Sequence, residues 1–138
     1  MAINSEGHDR HLVALALLNI GTTTWMLGDL ERARELLRDG LAAARDIGQV
    51  DLFIEGFAIL GVAYARQDPA RAARLLGRAD ALREETAFRD EEPFERSVRD
   101  EAEAGLRERL GEDAYAAAYA EGRGLALEDA LTLALGPD

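Results

Sequence analysis

Side chains able to do chemistry are few in this chain, and they are scattered. His8 and His11 are the only histidines. Their i, i+3 spacing would set both on one helix face beside Asp9, the beginning of a metal site. A closed site needs further ligands that this stretch does not supply, so a solvated helix start is the reading adopted. Ser5 and Ser97 are the only serines, and Ser97 lies in a charged segment with no histidine near it, which argues against nucleophilic catalysis. Glu84-Glu85 and Glu91-Glu92 pair carboxylates, but acid–base work needs one of a pair desolvated, and their polar surroundings predict exposure. Cysteine is absent, which removes thiolate catalysis and disulfides and is compatible with a cytoplasmic home. No catalytic set, metal site or cofactor motif assembles, and the chain reads as non-enzymatic.

Charge narrows the partners. The net charge is −11 and every one of the 16 basic residues is Arg. A nucleic-acid surface needs a basic stripe, and none is visible; anionic membranes are disfavoured for the same reason. Most of the negative charge falls after residue 85 and reads as a solvated face. Leu12–Ile20 is apolar but far too short to span a bilayer, so it is read as a core helix.

The elements that must position any site are helices. Ala and Leu dominate, prolines number three, and β-branched residues and aromatics are sparse. The 138 residues suffice for a single domain with a real core. Helices are predicted over about 9–27, 30–46, 50–66, 69–85, 93–110, 112–121 and 127–135, with a polar loop at 86–92. Gly28-Asp29 should end the first helix and cap the second. Asp68-Pro69 is a strong start signal for the fourth. Gly111 breaks the chain again, and Gly122-Arg123-Gly124 reads as a hinge or cap.

Part of this pattern is repeated. Ile20-Gly21 returns as Leu60-Gly61 after 40 residues, and Arg32-Ala33-x-x-Leu36-Leu37 returns as Arg71-Ala72-x-x-Leu75-Leu76 after 39. A helix–turn–helix unit of this length marks a helical solenoid, whose purpose is to present a surface. Repeats are assigned to 9–46 and 49–85, with residues 91–135 as a terminal cap. Gly21, Gly56, Gly61 and Gly77 lie inside predicted helices, where each costs about 1 kcal/mol relative to Ala. Close approach of a neighbouring helix is the expected compensation, above all at the repeat-matched pair Gly21 and Gly61.

The repeat resembles the tetratricopeptide pattern: its Leu-Gly pair falls on Ile20-Gly21 and Leu60-Gly61, its second glycine on Gly28, its Tyr on Tyr64, and its small helix-two residue on Ala33 and on Ala72 or Ala73. Thr24 replaces the Tyr of the first repeat, the closing Pro is missing, and the period exceeds the family's 34. A further likeness runs through Leu75–Arg83, Pro93-x-x-x-Arg96, Leu110-Gly111-Glu112-x-Ala114-Tyr115, Ala120–Arg123 and Leu127-Glu128-x-Ala130. This set is similar to the C-terminal end of large bacterial LuxR-type, ATP-dependent transcriptional regulators, in particular their helical-repeat sensor arm. Without Lys the chain cannot hold their phosphate-binding loop. The resemblance implies an all-α, tetratricopeptide-like fold of two helix–turn–helix repeats and a helical cap. The implied role is as a sensor or interaction arm that takes a protein or small-molecule ligand, or as a stand-alone adaptor.

In that family ligands lie along the face formed by each repeat's first helix. Carried to this chain, the face holds Leu18, Thr22, Trp25 and Met26 from one repeat and Glu55, Ala58, Val62 and Arg66 from the other. Trp25 with Met26 would suit an apolar helix or a flat ligand; alternatively Trp25 is core. The first helix is apolar on nearly every side and needs cover beyond its own hairpin. That cover is a preceding repeat, a second copy of the chain meeting it at Leu12, Val13 and Leu15, or the C-terminal helices folding back.

Overall fold

The computed structural model describes residues 2–86 and 93–136, with side chains from residue 9 onward. The described residues form seven helices and no strand: α1 (Ala2–Met26), α2 (Leu30–Ile47), α3 (Val50–Tyr64), α4 (Pro69–Thr86), α5 (Pro93–Leu110), α6 (Glu112–Arg123) and α7 (Leu127–Leu135). The first begins seven residues before the sequence suggests, and no proline stands ahead of Asp9 to stop it. Thr86 belongs to α4, and the rest of the expected loop, with Glu91 and Glu92, lies outside the described residues.

Local chemistry sets the ends. Gly28 takes φ +92° and Gly48 φ +76°, a left-handed turn that a side chain would strain. Asp29 and Asp68 each accept a bond from the free N–H three residues on, at 3.3 Å from Arg32 and 3.2 Å from Arg71. These caps satisfy donors that the helix itself leaves open.

Two hairpins, α1–α2 and α3–α4, stack through α2 and α3. One contact occurs twice. A Cβ placed on Gly21 would stand 2.7 Å from Leu37, and one on Gly61 would stand 3.1 Å from Leu76. These are the repeat-matched glycines against the repeat-matched leucines. Gly40 and Gly56 do the same against Leu18 and Leu41. The core between the hairpins includes Leu37, Leu41, Phe57, Leu60, Tyr64 and Leu75, all fully buried. Tyr64 lies beneath two guanidinium groups, Arg34 at 5.5 Å and Arg71 at 4.7 Å from its ring centre, a cation–π arrangement.

The last three helices divide between the two faces. Helix α6 packs on α4 along Gly77 and Gly122, backbone against backbone. Helix α7 lies against α2 and α4, where Arg38 donates to the Leu135 carbonyl at 2.8 Å and Arg71 to the Gly136 carbonyl at 3.4 Å. Both cations sit at a helix C-terminus, where the dipole favours them. Helix α5 lies against α3 and α4. The C-terminal helices therefore leave the outer side of α1 open, and Val13, Ile20 and Leu27 there remain 55%, 53% and 81% exposed. None of the described helices is long and apolar enough to cross a membrane.

Candidate functional site

Helices α1, α3 and α5, with Arg83 of α4, line an open cavity of about 240 Å³. Helix α1 contributes Asn19, Thr22 and Trp25; α3 contributes Glu55, Ala58, Ile59 and Val62. The third side comes from α5, with Phe94 and Val98 above the cavity and Glu95 and Arg99 beside them. A wider depression of about 930 Å³ continues past Trp25 and Val62 toward Met26, Arg66 and the middle of α5. Trp25, Val62, Phe94 and Val98 line both spaces, so a single apolar wall runs along the groove.

The residues carried over by resemblance separate here. Thr22, Trp25, Glu55, Ala58 and Val62 line the cavity, while Met26 and Arg66 line the wider depression. Leu18 does not belong to either. It is fully buried and packs over Gly40 of α2, because α1 turns its Ala14–Leu18–Gly21 stripe inward. Trp25 is half-buried, touching the core on one side and the groove on the other. Thr22 spends its hydroxyl on the Leu18 carbonyl at 2.8 Å, so it offers the groove a methyl group. Leu15 also departs from its expected role: it packs against the core instead of standing outward.

His11 is half-buried and Asp9 exposed, while the side chain of His8 lies outside the described residues. Among the described residues no three His, Asp or Glu side chains meet in a way that could hold a metal ion. Ser97 is exposed. Glu84 and Glu85 stand exposed on the last turn of α4 and pair with Arg123 and Arg78.

The sequence reading missed a polar network that holds the third wall in place. Asp80 of α4 accepts from Arg99 of α5 and from the Tyr119 hydroxyl of α6. Tyr115 donates to Glu103 at 2.9 Å, and Arg99 stands 3.7 Å from the same carboxylate. The two tyrosine rings stack at 5.8 Å. Burial, then the hydrogen bond to a carboxylate, pushes both phenols above their usual range. Burial works against the charge on Arg99, but Asp80 and Glu103 outweigh it, so its pKa rises. The phenols act here as donors that are hard to ionise, not as bases. The i, i+4 spacing of Tyr115 and Tyr119 was visible in the sequence, but their carboxylate partners lie 12 and 39 residues away.

A stability consequence follows from the sign of these shifts. A phenol whose folded pKa exceeds the unfolded value of about 10 adds stability that is complete below pH 10 and fades as the pH rises through the folded value. Midpoints measured from pH 8 to 11 should fall above about pH 10, and Tyr115→Phe/Tyr119→Phe should flatten that fall. Comparison with protein-family models, with curated proteins and with solved structures finds no match to this chain.

Proposed function

We propose that the chain is a non-enzymatic binding module of tetratricopeptide-like repeats with a C-terminal cap, the sensor or interaction arm of a bacterial transcriptional regulator. Its groove takes a small apolar ring compound. The observation that carries this reading is Trp25, half-buried at the edge of a cavity of about 240 Å³ walled by Ala58, Ile59, Val62, Phe94 and Val98. A cavity of about 150 Å³ lined by apolar side chains is enough for benzene, so one ring with a short substituent, or two fused rings, fits this one. The doubled Gly21–Leu37 and Gly61–Leu76 contact supports the repeat. Occupancy would act by fixing how α5 lies on the hairpins, since α5 supplies one wall.

A protein partner is the second reading. It rests on α5, which buries only Leu106 completely and lies where an incoming amphipathic helix would lie. Calorimetric titration with phenol and naphthol decides between the two. A ligand of about ten heavy atoms should bind with Kd about 0.1 mM. Ala58→Phe, which fills the cavity, should weaken it at least tenfold while the helical signal is kept. Absence of binding at millimolar ring compound, with folding intact, would remove the small-ligand reading.

A further inference from the structure

The cavity beside Trp25 has two unlike ends. Trp25, Val62, Phe94 and Val98 belong to both the cavity and the wider depression, and all four are apolar. Asn19, Glu55, Arg83, Glu95 and Arg99 belong to the cavity alone. A ring seated against Trp25 and Phe94 therefore carries any polar head toward this second group. The charge around that end sets the sign of the head.

Two guanidinium groups and two carboxylates line it, so the lining itself is balanced. Behind the lining the balance is lost. Asp80 accepts from Arg99 and stands 3.6 Å from Arg83, and Glu103 stands 3.7 Å from Arg99. Four carboxylates thus surround two guanidinium groups, in a chain whose net charge is −11. An anionic head would add to this excess, whereas a cationic one offsets it. Trp25 and Phe94 favour the same sign, because the faces of aromatic rings attract organic cations.

We propose that the ligand of this cavity is a ring carrying a protonated amine on a short chain. Its nitrogen pairs with Glu55 of α3, which is half-buried, and Glu95 of α5, which is exposed, adds to the attraction from the other wall. The inference rests on the small-ligand reading above and supplies the chemistry of the head group.

Calorimetric titration with phenylethylamine, phenylethanol and phenylacetate, which share a ring and a short chain, reads the sign directly. At low salt the amine should bind at least tenfold tighter than the alcohol, and the acid more weakly than either. Glu55→Gln keeps the size of the side chain and removes its charge, and should bring the amine and alcohol constants to within about threefold of each other. Glu95→Gln, an exposed change that should spare folding, should narrow the gap by a smaller factor, and so should about 0.5 M salt. Equal binding of amine and alcohol, or a preference for the acid, would overturn the inference and leave the apolar cavity standing. A preference for the amine that survives both substitutions would overturn it as well. If none of the three binds to the folded chain, the small-ligand reading fails and this inference with it.

Discussion

Gly122→Ala should lower the thermal midpoint by about 10 °C, corresponding to a loss of about 3 kcal/mol at 3–4 °C per kcal/mol for a chain of this size. A methyl group there would stand 1.9 Å from the Arg74 carbonyl oxygen. The obstacle is backbone on a neighbouring helix, so no rotamer change relieves it. Helix α6 must instead move off α4, which loosens the reciprocal contact where a Cβ on Gly77 would meet the Tyr119 carbonyl at 2.2 Å. Overpacking ordinarily costs about 1–3 kcal/mol, and two facing contacts put this case at the upper end. Gly→Ala in a helix otherwise gains up to about 1 kcal/mol. Gly105→Ala supplies the control, since its methyl would meet only Arg109 Nη1 at an ordinary 3.5 Å. That variant should be slightly stabilised. If calorimetry finds the two variants alike, α4 and α6 do not touch through their backbones.

Asp80→Ala should cost about 2–4 kcal/mol. It leaves Arg99, whose side chain is only 14% exposed, without its main counter-charge and strips Tyr119 of its acceptor. The damage should be local before it is global. Amide exchange in α5 should rise by at least tenfold while that of α3 is kept, because α5 has a single fully buried side chain to hold it otherwise. In a double-mutant cycle Asp80→Ala with Arg99→Ala should cost clearly less than the two singles added together. Simple additivity would mean that the ion pair does not anchor α5.

Helix ends were readable because their signals are local. Asp29, Gly48, Asp68-Pro69 and Gly111 each act within a turn of where they stand, and the six later helices fall within a few residues of their predicted limits. The glycine compensation at Gly21 and Gly61 was readable because the repeat printed it twice. The phase of α1 was not. Hydrophobic periodicity identifies an inward face only when another face is polar, and between Arg10 and Asp29 none is. Leu18 was therefore assigned to the groove and Leu15 to the outside, although Leu18 is fully buried and Leu15 packs against the core. Nor could spacing show that Phe94 and Val98 of α5 would form a wall of the groove, or that Gly122, one turn before the Gly124 cap, would also be a contact with α4. Those facts depend on the path of a segment relative to helices far away in sequence.

The arginine latch on α7 has a consequence for the order in which the chain assembles. Each hairpin joins neighbours in sequence and can form as the polypeptide emerges during synthesis. Arg38 and Leu135 stand 97 residues apart, so the last helix cannot dock until nearly all of these residues have left the ribosome. Until then the surface of α2 and α4 beneath it stays uncovered, so the two hairpins must hold together without their last cover.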